Sequence, residues 1–277
     1  MKPYLKIILA CLIILDALAW HAIASDSSGK RLELHFFAVG QGDSEMVVRP
    51  GNVKMLVDGG PDNGKAARQV DAALRGHDRY IDMIMLSHAE LDHFGGLLDV
   101  VRNHDIGVVL YNGRGNDSER FRELARVIKE KNIPVVALAE GDSIRYADNV
   151  IDIVSAHGKN KNESGLVAKF TGGGISALFA SDIGKDTERR LTQEKNIRAD
   201  ILKIPHHGSK FSSTEEFLKI IRPKVAVIEV GKNSYGHPAK MVLDRIAQVG
   251  AQIFRTDADG AVRLVVENGI IRQGKEK

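Results

Sequence analysis

The segment from Ser87 to Gly96, SHAELDHFGG, constrains this chain more than any other part of it. It follows an apolar run of strand-like composition and carries histidines and carboxylates at close spacing. In an extended strand end, His88 and Glu90 face the same way and can converge on one cation. If the chain then bends into a helix, Asp92 and His93 can reach a second cation about 3.5 to 4 Å away. A charged helix N-terminus without any metal is the alternative interpretation.

The single cysteine limits the chemistry of such a site. Among 277 residues the only cysteine is Cys11, which lies in the apolar N-terminal segment. The rest of the chain can therefore form neither an internal disulfide nor a thiolate metal site, and any metal must be held by His, Asp and Glu. Lys and Arg number 39 against 36 Asp and Glu, a surplus too small to predict nucleic-acid binding from charge.

The first 24 residues have the pattern of an export signal. Lys2 and Lys6 precede an apolar stretch, and residues 22–24, Ala-Ile-Ala, have the small-x-small pattern of a signal-peptidase site. A retained N-terminal membrane anchor is the alternative, but Asp16 in the middle of the stretch would cost about 2.5 to 3.5 kcal/mol on insertion. We therefore expect residues 1–24 to be a signal peptide and the protein to be exported, either periplasmic or extracellular.

From Arg31 onward, β-branched runs alternate with amphipathic helical stretches, without a long linker or repeat. We predict one α/β domain over residues 31–277. Strand-rich halves that each carry helices suggest two sheets packed face to face with helices outside, a four-layer sandwich. The predicted strands cover 32–39, 44–48, 53–57, 81–87, 107–110, 150–154, 165–170, 176–180, 201–204, 225–230, 252–255 and 261–266. The predicted helices cover 64–76, 94–104, 118–131, 185–196, 213–221 and 238–249.

Three further groups of polar side chains follow predicted strands. Asp182 comes directly after an apolar strand, where a carboxylate can bridge two cations, although a helix cap or turn residue would look the same. His206 and His207 end another apolar strand, and a solvated loop explains such a pair less well. Tyr235 and His237 lie in a loop before a proline, which an ordinary helix start explains about as well.

In their order along the chain, these motifs resemble the metallo-β-lactamase superfamily and, within it, the hydrolase-like domain of the ComEC/Rec2 competence proteins. The matching pieces are HFFAVGQGDSEMVV, MLVDGG, LSHAELDHFGG, NESGLVAKF, LFASDIG, LKIPHHGS, NSYGHP and FRTDADGAV. The resemblance implies an αββα sandwich with a dinuclear metal site at one edge of the two sheets. It implies a bridging role for Asp182 within a ligand set that comprises His88, Glu90, Asp92, His93, Asp182 and His207.

The chain departs from the superfamily pattern at the first metal position. Glu90 stands where the motif usually has His or Asp, and it is a longer and harder ligand. We expect two divalent ions, with Zn²⁺ preferred and Mn²⁺ the alternative, and the second ion to bind more tightly than the first. His157 and Asn162 compete for the place of a further superfamily histidine, and Asn162 is preferred, at the site periphery. Asp43 and Asp58 are expected to brace loops near the site.

A water bound to metal in such a site is activated for attack at neutral pH, so the predicted reaction is hydrolysis. The predicted substrate is an anionic phosphodiester, either DNA or an envelope polymer or small phosphoester. The predicted catalytic residues are Asp92 and His206, the latter as proton donor to the leaving oxygen. The predicted substrate-binding residues are His237, Tyr235 and Asn162. Aromatic residues make up 5% of the chain, and no stacking platform for single-stranded nucleic acid is predicted.

Two alternatives keep the fold but change the function. A non-catalytic binding protein would retain the fold with a weakened first metal position, and Glu90 supports this interpretation. Hydrolysis of a lactam or another non-phosphate ester is the second alternative. The sequence requires no stable membrane partner, and it leaves the oligomeric state open.

Overall fold

The computed structural model describes residues 12, 14–16, 31–74, 78–156, 158, 165–194 and 196–274. Most of the predicted signal peptide lies outside the described residues, and so do His157 and Asn162. Among the residues that are described, no helix has the length and apolar character needed to cross a membrane. The signal peptide and the roles of these two residues therefore stay predictions.

Two β-sheets form the centre of the described structure. Their strands are β1 Leu32–Phe36, β2 Glu45–Arg49, β3 Val53–Val57, β4 Tyr80–Leu86, β5 Asp105–Tyr111, β6 Val135–Ala137, β7 Ser143–Tyr146, β8 Asn149–Ser155, β9 Val167–Gly172, β10 Ile175–Phe179, β11 Ile201–Lys203, β12 Val225–Ile228, β13 Gln252–Arg255, β14 Val262–Glu267 and β15 Ile270–Gln273. The first sheet has the order β15-β14-β1-β2-β3-β4-β5-β6, and the second has the order β13-β12-β11-β10-β9-β8-β7.

Helices cover the outer face of each sheet. They are α1 Lys65–Ala73, α2 Leu91–Phe94, α3 Leu97–Asn103, α4 Glu119–Glu130, α5 Lys185–Glu194, α6 Glu215–Ile221, α7 Lys240–Gln248 and α8 Thr256–Asp259. Helix α4 shows how the sequence specifies them: the hydroxyl of Ser118 accepts the N–H of Phe121 at 3.3 Å and caps the helix, while Leu124, Val127 and Ile128 share the buried face.

Three apolar clusters separate the layers. The first lies between the two sheets, where the rings of Phe36 from β1 and Phe179 from β10 stack with centroids 6.5 Å apart. The second packs α1, α3 and α4 against the first sheet, and the third packs α5, α6 and α7 against the second. This arrangement confirms the predicted four-layer αββα sandwich, because each helix buries its apolar stripe on one sheet only.

Strands β6, β7 and β15 were not predicted from the sequence. Each lies at the edge of a sheet, has three or four residues and is mostly exposed. Such short strands bury too few side chains to leave an alternating apolar pattern in the sequence. No predicted site residue directly follows any of these three strands.

Parallel pairing brings the polar loops to one edge of the sandwich. Strands β3 and β4 are parallel in the first sheet, and β10, β11 and β12 are parallel in the second. Parallel neighbours end on the same side, so the loops that follow them lie side by side. These loops carry Asp58, His88 to His93, Asp182, His206 to His207 and Tyr235 to His237.

Candidate metal centre

Four of the predicted ligands meet where the two sheets end. Asp92, His93, Asp182 and His207 each offer one ligand atom, and these atoms lie within 4.8 Å of one another. One oxygen of Asp182, Oδ2, lies 3.4 Å from Nε2 of His93 and 3.6 Å from Nε2 of His207. Nε2 of His207 also lies 3.5 Å from Oδ2 of Asp92. The group therefore has the two imidazoles and two carboxylates of a divalent-metal site.

His93 is held by its other ring nitrogen. Nδ1 donates to Oδ2 of Asp58 at 2.7 Å, and Asp58 is itself fixed by the backbone N–H of Ser87 at 2.8 Å. Nε2 of His93 is buried and has no hydrogen-bond partner. Metal-binding histidines usually donate one ring N–H to a carboxylate, which leaves the other ring nitrogen free to bind the metal.

His207 has the same kind of support from the opposite sheet. Its Nδ1 lies 2.9 Å from the backbone oxygen of Glu229 and 3.2 Å from Oδ1 of Asp43. Its Nε2 is buried without a hydrogen-bond partner. Asp58 therefore does more than brace a loop, because it orients the imidazole of His93, whereas the backbone oxygen of Glu229 orients that of His207 and Asp43 places a negative charge beside it.

The charges of the group favour a bound cation. Burial alone would lower the pKa of His207, but the carboxylates of Asp182 and Asp43 outweigh it and raise that pKa to about 10. The same carboxylates and Asp58 raise the pKa of His93 well above its ordinary value against the effect of burial. The two histidines in turn keep the pKa of Asp182 well below its usual range, although burial opposes this. An environment that stabilises a proton on Nε2 also stabilises a metal ion there.

His88 and Glu90 stand apart from this group. The ring of His88 is 4.1 Å from that of His93, and its Nδ1 lies within hydrogen-bond distance of the Ser87 and Ser181 hydroxyls, at 3.0 and 3.2 Å. Its Nε2 is buried and has no hydrogen-bond partner, as expected of a nitrogen that faces a metal position. Burial, with help from His93, lowers the pKa of His88 to about 3, so the ring is neutral. Glu90 precedes α2, and its side chain does not join the ligand group formed by the described residues.

Strained backbone places the ligands of the second sheet. His206 and His207 have φ values of 51° and 53°, in the left-handed region, within a short 3₁₀ turn that spans Pro205–Gly208. Ser181, directly before Asp182, has a φ of 49°. Left-handed backbone at residues other than glycine costs roughly 1 kcal/mol or more at each position and collects at functional sites. The turn lets adjacent histidines face one site, whereas in a strand their side chains would point to opposite faces.

His206, His237 and Tyr235 lie at the mouth of the centre. Nε2 of His206 is 3.8 Å from Oδ2 of Asp182, and its side chain is 30% exposed, in contrast to the buried His207. The ring of His237 is 5.7 Å from the rings of both His206 and Tyr235. Burial and the neighbouring His206 lower the pKa of His237, so its imidazole is neutral at pH 7. The sequence-predicted residues of the mouth are thus brought together, with Asn162 outside the described residues.

Two exposed aromatic rings lie in the loops that follow β11 and β12. Tyr235 is 74% exposed and Phe211 is 63% exposed. The backbone of Phe211 is fixed between the two ligand loops of the second sheet, because its N–H donates to Oγ of Ser209 at 3.3 Å and its oxygen accepts the N–H of Lys185 at 3.1 Å. These two residues therefore offer exposed rings in loops that also carry predicted site residues.

A buried charge cluster behind the ligands was not found from the sequence. Nζ of Lys203 forms a buried ion pair with Asp43 and lies 3.8 Å from Oδ1 of Asp182. Two buried glutamates adjoin it, Glu45 and Glu229. Burial raises the pKa of Glu45 well above its ordinary value, and burial together with Asp43 raises that of Glu229 to about 7. The cluster could have been suspected from the sequence, because Glu45 and Lys203 are charged residues within largely apolar strands.

With this geometry established, comparison with known proteins identifies the family. The model of the metallo-beta-lactamase superfamily matches residues 44–231. The chain belongs to this superfamily. The matched range contains Asp92, His93, Asp182 and His207, the four residues of the ligand group.

Similar sequences include proteins named for competence and for recombination. ComE operon protein 3 of Bacillus subtilis is 28% identical over 197 residues, which cover 69% of this chain and 25% of that protein. Competence protein ComA of Neisseria gonorrhoeae is 28% identical over 238 residues, 84% of this chain and 32% of that protein. The chain therefore spans only a quarter to a third of the length of these relatives.

Solved structures share the fold at low sequence identity. Igni18, a metallo hydrolase from Ignicoccus hospitalis, has a TM-score of 0.56 and 14% identity, with 83% of this chain and 98% of that chain covered. CmlA, a diiron β-hydroxylase from Streptomyces venezuelae, has a TM-score of 0.59 and 15% identity, covering 86% of this chain and 54% of that chain. A diphosphatase of the PhnP family has a TM-score of 0.52 and 16% identity, covering 85% and 99%.

The donor set fits a divalent metal of the kind this superfamily binds. Three imidazole Nε2 atoms, from His88, His93 and His207, are buried without hydrogen-bond partners, and Oδ1 of Asp182 is also without one. Nitrogen and carboxylate ligands suit Zn²⁺ and Mn²⁺. Membership of the superfamily and this ligand group together support a metal-dependent hydrolase.

Proposed function

We propose that this protein is an exported hydrolase of phosphodiester bonds that uses a metal-activated water. The observation that carries the proposal is the group of Asp92, His93, Asp182 and His207, with His206 and His237 at its mouth. When bound, a divalent ion would supply a water of lowered pKa and stabilise the charge that develops on the phosphoryl oxygens. Zn²⁺ is the first choice and Mn²⁺ the alternative. His88 and Glu90 would hold a second ion, and both ions would share Asp182.

The residues at the mouth would act on the substrate directly. His206 is partly exposed and lies next to Asp182, so it can give a proton to the leaving oxygen. His237 is neutral and can donate a hydrogen bond to a phosphoryl oxygen, and Tyr235 beside it is open to solvent. Asp92, 38% exposed, is the ligand that can also contact the attacking water.

The exposed rings support DNA or another nucleotide polymer over a polyol phosphate. Phe211 and Tyr235 offer flat apolar faces on which nucleobases can stack, and Nζ of Lys210 lies 5.1 Å from the centroid of the Phe211 ring, where it can meet a phosphate. The names of the similar competence and recombination proteins support the same substrate class. A glycerol phosphate chain carries no ring that could stack on these side chains.

A first experiment measures metal content and turnover of bis-p-nitrophenyl phosphate by the purified protein. We expect bound divalent metal and hydrolysis that a chelator abolishes and added metal restores. Asp182→Ala should lose all bound metal, because the proposal gives this carboxylate to both ions. Metal-loaded protein without turnover would instead support a non-catalytic binding protein, for which the position of Glu90 outside the ligand group is the argument.

A second experiment tests the polymer. Single-stranded DNA should be cut faster than an abasic strand of the same length, and Phe211→Ala should reduce that preference by about 10-fold, the worth of one stacked base. Tyr80→Ala is the matched control, because Tyr80 is 46% exposed at the opposite end of the strand β4 that leads to His88. Equal rates on the two strands would exclude base stacking while leaving phosphodiester hydrolysis intact.

A further inference from the structure

The loop over residues 231–238 carries the two mouth residues, Tyr235 and His237. It starts in close contact with the first hairpin, where a β carbon on Gly231 would lie 2.4 Å from the backbone carbon of Gly40. The N–H of Gly231 also donates to Oε1 of Gln41 at 3.3 Å. Only glycine fits this contact, so the beginning of the loop is fixed against the first sheet.

The far end of the loop is fixed to the histidine turn. The N–H of Ala239 donates to the oxygen of Gly208 at 2.9 Å, directly after His207. Between its two fixed ends the loop has no regular secondary structure. Its conformation there must come from hydrogen bonds within the loop.

Asn233 provides those hydrogen bonds. Its Oδ1 accepts the backbone N–H of Tyr235 at 3.0 Å and that of His237 at 3.1 Å. Its Nδ2 donates to the oxygen of Gly231 and to that of His237, each at 2.9 Å. The carboxamide thus uses both donors and both acceptor sites on its own loop, and holds His237 by its N–H and its oxygen.

The imidazole of His237 has no such support of its own. Its Nδ1 is buried and has no hydrogen-bond partner. The ring lies against the rings of His206 and Tyr235 at 5.7 Å and of His207 at 6.5 Å, which are contacts of modest energy. The backbone, rather than a side-chain hydrogen bond, sets where this ring points.

We propose that Asn233 is a positioning residue that holds the imidazole of His237 over the metal centre. The proposal rests on the proposed function, in which His237 contacts the phosphoester. Asn233 acts through the backbone of His237. None of its four hydrogen bonds given above involves a residue of the ligand group. Its loss therefore weakens substrate contact and leaves metal binding unchanged.

The test is a double-mutant cycle with two readouts. In the otherwise wild-type protein, Asn233→Ala should lower kcat/KM for bis-p-nitrophenyl phosphate by about 10-fold, and it should weaken binding of inorganic phosphate to the metal-loaded protein by a similar factor. In the His237→Ala background the same change should alter either quantity by less than about 2-fold. Asn233→Asp keeps the acceptor oxygen but turns a carboxylate oxygen towards the oxygens of Gly231 and His237, so it should also lower both quantities in the otherwise wild-type protein.

Controls separate positioning from general damage. Metal content and melting temperature of Asn233→Ala should match those of Asn63→Ala, since Asn63 also bridges loop backbone, from Val39 oxygen to the N–H of Lys65. Equal losses from Asn233→Ala in both backgrounds would overturn the positioning role. If the wild-type protein turns over no ester, the proposed function fails, and the phosphate-binding cycle still decides the role of Asn233.

Discussion

Asp58 accepts a hydrogen bond from Nδ1 of His93 at 2.7 Å and thereby leaves Nε2 to face Asp182 at 3.4 Å. The carboxylate fixes both the tautomer and the direction of the ring. The contact joins the residue that follows β3 to a residue of helix α2, which follows β4, so the position of the His93 ring depends on the pairing of these two strands.

Asp58→Asn should weaken metal binding by about 10- to 100-fold, because the amide retains the shape of Asp58 but lacks the charge that favours a cation on His93. The measurement is competition for metal against a chelator of known affinity. Asp71→Asn is the matched control, since Asp71 lies 3.0 Å from Nε2 of His104, away from the ligand group. Similar losses in the two variants would contradict the orienting role of Asp58.

His207→Ala and His206→Ala should differ although the residues are neighbours. His207→Ala should be purified with little metal and regain activity only partly in excess metal, because Nε2 of His207 belongs to the ligand group. His206→Ala should keep its metal and lose about 10²- to 10⁴-fold in kcat for an ester with a poor leaving group. With a nitrophenolate leaving group its loss should be much smaller, because that anion needs no proton. A deficit independent of leaving-group pKa would exclude a proton donor at His206.

Glu45→Gln should stabilise the metal-free protein at alkaline pH. Burial raises the pKa of Glu45 in the folded state, so folding takes up a proton that the unfolded chain releases above about pH 4.5. Stability contributed by this group is therefore present at low pH and is lost as the pH rises towards the folded-state pKa. Glutamine needs no proton, and we expect a gain of roughly 1 to 3 kcal/mol at pH 8 that disappears near pH 4.

Glu33→Gln provides the control of opposite sign. Although burial opposes it, hydrogen bonds from His35 and Arg263 lower the pKa of Glu33 to about 2. Its stabilising effect is present above the unfolded-state pKa and is lost only as the pH falls towards 2. Glu33→Gln should therefore destabilise the protein at pH 8. Denaturant titrations at pH 4 and pH 8 measure both variants, and a gain for both at pH 8 would refute the assignment for Glu45.

The mature protein should begin near Ser25. The pattern of Lys2, Lys6 and the Ala-Ile-Ala of residues 22–24 predicts cleavage by signal peptidase at that point. Intact-mass measurement of protein isolated from its native cells tests this. A full-length form that begins at Met1 and remains in the cytoplasm would rule out export by this segment.

The strand-end motifs could be predicted from sequence because each residue follows a buried apolar run. Apolar runs can be recognised in the sequence itself, and Asp92, His93, Asp182 and His207 each follow one. The partners behind them could not be predicted, since Lys203 meets Asp43 across 160 residues of chain and the two sheets. No local pattern encodes which buried cation faces which buried carboxylate.

The turn at His206 and His207 marks a different limit. The two histidines follow an apolar strand, which indicated a site, but their left-handed backbone was not expected because few residues other than glycine adopt it. Likewise Phe211 and Tyr235 are ordinary loop residues in sequence. The backbone of Phe211 bonds to Ser209 and Lys185, and that of Tyr235 bonds to Asn233, contacts that only the folded chain reveals.

The metal ligands come from both halves of the sandwich, each half being one sheet with its helices. Metal binding is therefore coupled to the docking of these two halves. Asp92 and His93 come from the first sheet, and Asp182 and His207 from the second, so neither half alone holds the complete group. An ion that binds only the docked state adds stability by mass action, about 2.7 kcal/mol at a free concentration 100 times Kd. If the chain is exported, as proposed above, the metal supply outside the cytoplasm would affect the yield of folded protein as well as its activity.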